Sequence, residues 1–278
     1  MKQIFIFSTF MLLSMASLNA QNGSNTLKKY YSESKKHKFY FLWGYNRAAF
    51  AKSDISFKGP NYDFTLFDVR AKDRPTPFTL RNYFELEKIS IPQYNYRIGF
   101  FLNKNTALSL GLDHMKYVVA HQQTVKITGE IKKEISTTYA GTYLEKDIEI
   151  VPEFLGFEHT DGLNLLSLDL ERLYSLHSFA KNKLRLSGQL GAGAGIVIPR
   201  TDARVMGFGL NNRFHRAGWG VSTKFGLKLD ILKHFFLQTE FRTGFIVLND
   251  ILISNDAPDR AKQNIVFGQW NLVGGWYF

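Results

Sequence analysis

The sequence has no cysteine among its 278 residues. That excludes a disulfide framework, so an exported chain of this kind must draw its stability from elsewhere. Beyond the N-terminus it also lacks any uncharged apolar run of the roughly 18 residues that a spanning helix needs. A mean hydropathy of -0.18 does not suggest a bundle of membrane helices. No HExxH motif occurs and the 7 histidines are scattered, so neither a metal nor a cofactor is expected. Acidic residues are outnumbered, 24 against 35 basic ones, for a formal charge of +11. Such a balance suits nucleic acid or anionic lipid head groups, or simply keeps the chain soluble.

What is present begins with MKQIFIFSTFMLLSMASLNA. Lys2 supplies a positive start, Ile4 to Met15 an apolar stretch too short to span, and Ala16 or Ala20 a small-residue cleavage point. Residues 1–20 are expected to be a secretory signal peptide. Gln21 follows, so no lipoprotein cysteine is available there. Residues 21–37, polar and lysine-rich, are expected to be a flexible periplasmic lead-in, leaving 38–278 as the folded domain. An exported chain seldom meets nucleic acid, which points the basic charge toward lipid head groups.

Aromatic residues are abundant, with 25 Phe and 13 Tyr, and from Phe39 onward apolar residues recur with period two. Alternating segments run over 39–50, 94–102, 107–119, 163–173, 183–198, 218–229 and 236–247, and an eighth ends the chain. Each has about ten residues, the length of a tilted strand crossing a bilayer. Their connections alternate between short ones (103–106, 177–182, 230–234) and long ones (about 51–91, 120–162, 199–217 and 248–263). Short turns on one side and long loops on the other mark an outer-membrane barrel. Alternation alone would also suit a soluble barrel with its apolar face inside.

The final stretch, WNLVGGWYF, places Trp270, Leu272, Trp276 and Phe278 on one parity and ends on an aromatic residue. It is similar to the C-terminal signal read by barrel assembly machinery, although Gly274 interrupts the stripe. The chain resembles the small eight-stranded outer-membrane β-barrel proteins of Gram-negative bacteria, and its long loops resemble those of the Bacteroidetes lineage. The resemblance implies an all-β fold: a single eight-stranded antiparallel transmembrane β-barrel with long extracellular loops and short periplasmic turns. It also implies residence in the outer membrane, with barrel assembly machinery as a partner during biogenesis.

On the opposite parity lie Asp169, Glu171, Arg185, Lys224, Lys228, Glu240 and Arg242. In so narrow a barrel, side chains just fill the interior. Buried charges must pair, so these residues are expected to form an ionic plug rather than an open pore. GAGAGIV (191–197) is followed by Pro199 and no helical pattern, which opposes a nucleotide-binding turn. Its glycines are expected to make room for bulky interior neighbours. Some barrels of this kind act on lipid A with a Ser, a His and a carboxylate. Asp113, His114, His121, His159, Asp161 and Ser167 are the candidates here. Asp113 and His114 are adjacent on a strand and cannot pair directly. Arg200, Arg204, Arg213 and Arg216 are expected either to clamp lipopolysaccharide phosphates or to pair with neighbouring acidic residues. Three functions stay open: an interaction barrel whose loops bind lipopolysaccharide or an envelope protein complex, a lipid A acyl hydrolase or acyltransferase, and a narrow channel or small-ligand importer.

Overall fold

Strict alternation of large apolar and small or polar residues leaves this chain little choice but strand. The computed structural model describes residues 38–278 except 86, 89–90, 181–182, 210–212 and 256–257. The expected signal peptide and lead-in lie outside the described residues. Lys38–Phe278 forms one compact unit. Its elements are β1 (Phe39–Phe50), β2 (Ser53–Gly59), β3 (Tyr62–Val69), β4 (Ala71–Lys72), α1 (Leu80–Phe84), β5 (Tyr94–Phe101), β6 (Thr106–Val119), β7 (Gln123–Ile131), β8 (Gly141–Ile150), β9 (Leu155–Phe179), β10 (Leu184–Pro199), β11 (Asp202–Val205), β12 (Gly218–Ile231), β13 (Phe235–Leu252) and β14 (Arg260–Tyr277).

Eight of these strands pair antiparallel in the order β1-β5-β6-β9-β10-β12-β13-β14, and β14 pairs back to β1. The returning ladder runs from Tyr40↔Tyr277 to Phe50↔Phe267. Phe278 is held there: its N–H donates to the Phe39 carbonyl and its carbonyl accepts from the Phe39 N–H, both at 2.9 Å. A chain end on Trp-Tyr-Phe therefore does not fray; it completes the ring of pairings.

The other strands lie within the long links, where 62–75 alternate enough for a β-extension and 120–162 have room for a second hairpin. Among the described residues the sheet has 14 strands rather than eight. β14 continues beyond the ring to pair with β2, and β2, β3, β7 and β8 follow in order. β9 is 25 residues long, and its first part pairs with the upper end of β6 and with β11. Period-two apolar residues in the links explain this: Ile55 and Phe57 on β2, Phe64 and Leu66 on β3, Val125 and Ile127 on β7 are all buried. They pack with Tyr117, Phe154, Phe157, Leu248 and Ile265 into one apolar core. Gly162, at φ 131°, lies where β9 passes from this core into the ring; a side chain there would strain the backbone and strike the Asn164 side chain.

Candidate functional site

The ring interior is built in layers. At the end bearing the short turns, Tyr40, Leu42, Ala107, Phe236, Val273 and Tyr277 form a small apolar cluster. Lys228 points among these rings, its Nζ 3.8 Å from the centroid of Phe236, 4.8 Å from Tyr277 and 5.1 Å from Tyr40. This ammonium is therefore held by cation–π attraction, not inside the ionic network where the sequence reading put it.

The next layer is ionic. Arg97 Nη1 donates to Asp169 Oδ2 at 2.5 Å and its Nη2 donates to Asp113 Oδ2 at 2.7 Å. Arg242 Nη1 donates to Asp169 Oδ2 at 2.8 Å, and its Nη2 donates to Ser167 Oγ at 3.0 Å. Lys224 Nζ reaches Glu171 at 2.7 Å, Asp169 at 3.0 Å and Glu240 at 3.7 Å. Tyr40 and Ser109 each donate to Glu171 at 2.6 Å, and Asn271 donates to Glu240 at 2.9 Å. Arg97 and Arg242 are at most 1% exposed. Charges so buried are tolerated only when mutually paired. The bidentate Arg242–Asp169 pair and the Arg97 bridge between Asp169 and Asp113 supply that here, although Arg242 Nε and Asp113 Oδ1 have no hydrogen-bond partner among the described residues. Arg185 stands apart, bonded to Asp230 at 2.8 Å through Nε.

The glycines of β10 make the space for this layer. A Cβ on Gly193 would collide with Asp169 Oδ1, and one on Gly191 would come within 2.8 Å of Lys224 Cε. Arg97 and Asp113 are the members the sequence reading left out of the network. Arg97 and Asp113 both lie on the polar parity of their segments, which is the signal available.

The catalytic candidates are not brought together. Asp113 is ion-paired inside the ring. Ser167 accepts from Arg242 in the same layer. His114 stacks on Tyr94 at 4.9 Å, with its Nδ1 2.8 Å from Asn164 Oδ1. His121 Nε2 donates to the Leu155 carbonyl at 3.1 Å. His159 is wholly buried in the upper core, with Nδ1 2.9 Å from Thr201 Oγ1; burial holds its imidazole far below the usual range, at about 3. Among the described residues, none of these three histidines is hydrogen-bonded to Asp113 or Ser167. Asp161 pairs with Arg200 at 3.2 Å.

The arginine set divides. Arg200 faces Asp161 and lies over the Phe214 ring, and Arg204 faces Asp202 at 3.7 Å. Arg213 and Arg216 are exposed. The sequence reading missed the pairing of His215 with Asp250, Nε2 to Oδ2 at 2.7 Å, which Arg260 buttresses from Oδ1 at 2.8 Å. It also missed a cleft of about 190 Å³ where Pro60, Asn61, Tyr62, Glu134, Phe208 and Asp259 meet. Within it the Tyr62 hydroxyl donates to Asp259 at 2.9 Å; burial first, and then that carboxylate, push the phenol up. Neither feature has a local sequence signal, because its members lie far apart in the chain.

No family model matches the chain, and no curated protein matches it. Solved structures do. Neisserial surface protein A is 11% identical, with 86% of this chain and 97% of that one covered, at a TM-score of 0.36. The outer membrane protein OprG of Pseudomonas aeruginosa is 10% identical, over 87% and 97%, at 0.37. Ail, the attachment invasion locus protein of Yersinia pestis, is 10% identical, over 87% and 99%, at 0.29. These neighbours are small outer-membrane β-barrel proteins, and at such identities and scores the likeness assigns this chain no activity.

Proposed function

We propose that the chain is an integral outer-membrane β-barrel of a Gram-negative envelope, carrying a folded extracellular β-layer that serves as an interaction platform. One observation carries this reading. On β14 the exposed parity is apolar from Val266 to Phe278, with Trp270, Leu272 and Trp276 between, whereas beyond Val266 it becomes Asn264 and Lys262. That apolar stretch is roughly 40 Å of strand at about 3.3 Å per residue, or about 28 Å of height at a 45° tilt. It matches the apolar band of about 25 Å on membrane barrels. The end with short turns is then periplasmic.

The filled, ion-paired interior favours a non-conducting barrel over a channel or importer, and the separation of the candidate histidines from Ser167 and Asp113 favours binding over lipid A chemistry. The platform's ligand is lipopolysaccharide or a protein partner. Of the four arginines, Arg204, Arg213 and Arg216 are exposed and offered to phosphate. Trp270, Leu272, Trp276 and Phe278 are the residues offered to barrel assembly machinery. The Bacteroidetes assignment rests on loop length alone. The test is fractionation of the mature chain together with single-channel recording: residence in the outer membrane and a silent bilayer are expected. Recovery as a detergent-free monomer from the periplasm sinks the reading, and steady conductance sinks the non-conducting part of it.

A further inference from the structure

Between β4 and β5 the chain exposes large apolar side chains: Phe78 at 69%, Leu80 at 72% and Phe84 at 68%, with Ile91 at 48%. In water each would forgo about 25 cal/mol for every Å² of apolar surface left uncovered. Yet the segment is firmly tied to the outside of the ring. Thr79 caps α1 by accepting from the Asn82 N–H at 3.0 Å. Tyr83 donates to the Thr76 carbonyl at 2.9 Å and accepts from Arg47 Nη2 at 2.8 Å, while Tyr45 donates to the Tyr83 carbonyl. Lys116 Nζ donates to the Ile91 carbonyl at 2.9 Å, and the Asn46 N–H donates to the Gln93 carbonyl at 3.0 Å. The Tyr83 ring packs on Tyr45 at 4.6 Å and on Phe78 at 5.0 Å. Tyr45 is the last aromatic of the outward row Phe39, Phe41, Trp43, Tyr45 on β1, so the exposed patch adjoins the apolar belt where that row gives way to Arg47. Arg81 and Lys88 are matched in number by Glu85 and Glu87, so the positive charge beside the patch comes from Arg47 and Lys116, the outward cations of β1 and β6 that hold it.

We propose that Phe78, Leu80, Phe84 and Ile91 form a wedge that inserts into the outer leaflet beside β1 and β5, at the boundary between acyl chains and head groups. The inference rests on the membrane reading above. An apolar face with Arg47 and Lys116 beside it, lying where the aromatic row of β1 ends, is the chemistry of an interfacial lipid contact. A second protein copy would not call for continuity with the outward aromatic row of β1, whereas acyl chains do. Held in this way, the wedge fixes how deep the barrel rides and displaces lipid on one side of the ring only.

The absence of native cysteine makes the test direct. Leu80→Cys and Phe84→Cys carry nitroxide labels in vesicles of phosphatidylethanolamine and phosphatidylglycerol, with Leu272→Cys as the belt reference and Leu144→Cys, on β8, as the water reference. Collision rates with oxygen and with a water-soluble nickel chelate are measured. The expected result is an oxygen-to-nickel ratio several-fold above that of Leu144→Cys at both positions, approaching that of Leu272→Cys. A ratio equal to that of Leu144→Cys, or shielding from both reagents by protein, overturns the wedge while leaving the barrel reading intact. A water-like Leu272→Cys overturns both.

Discussion

The ring and the layer above it share strands but invert their chemistry. On β6 the odd positions face inward throughout: Ser109, Gly111 and Asp113 in the ring, then Met115, Tyr117 and Val119 above it. The outward positions change from Leu108 and Leu110 to Lys116. β9 does the same, with Asp169 and Ser167 inward below and Leu163 and Phe157 inward above. β13 passes from Glu240 and Arg242 to Ile246 and Leu248 without changing parity. The inward parity is thus constant, and what reverses is which face is apolar. A sheet buries apolar side chains away from water. A reversal along an unbroken strand therefore means that the medium outside has changed, not the fold. Below, the interior can hold charge only because that charge is paired; above, the interior is an ordinary apolar core.

The comparison can be broken most severely from within the ionic layer. Arg242→Ala leaves Asp169 and Asp113 undercompensated in a closed interior, and removing one partner of a buried pair costs about 3–5 kcal/mol; urea unfolding in vesicles measures it. Next comes the belt. Leu272→Lys places a charge on the mid-height outward face, where about 2–4 kcal/mol of destabilisation is expected, and a loss of that size in the same assay supports lipid contact there. In the upper layer the sensitive group is His159. Its folded pKa of about 3 lies below the unfolded value, so stability is complete above about pH 6.5 and declines as pH falls toward 3. The deficit at pH 5 is about 2 kcal/mol. Acid titration of the upper layer's near-ultraviolet signal is expected to show that slope, and His159→Phe to remove it. The smallest effect is assigned to Lys262→Leu, outward on β14 above the belt, which should change stability by less than about 0.5 kcal/mol. A cost comparable to that of Leu272→Lys would erase the distinction between the two regions.

Much of the ring was legible because period two survives every local accident. The segment 39–50 coincides with β1, and 94–102, 183–198 and 218–229 match β5, β10 and β12 to within two residues. Inward placement of Asp169, Glu171, Lys224, Glu240 and Arg242 followed from parity alone. Lys228 and Arg185 shared that parity, and there the inference stopped short. Parity says which face a side chain takes, but not its height along the ring, and height decides whether it meets a carboxylate cluster or three aromatic rings. The upper layer was hidden for a different reason. Its strands pair across separations such as Tyr62 with Ile131 and Gln263 with Ile55, so a β-extension in 62–75 and a hairpin in 120–162 are legible locally, but not which strands they join.

The sequence by itself determined the strand periodicity, the outward aromatic belt and the inward charge, because each depends only on alternation along one segment. The tertiary structure alone decided which charges meet, that a second core sits above the ring, and that Phe78, Leu80 and Phe84 are held exposed at its rim. Those outcomes depend on register between distant strands, which no local pattern encodes.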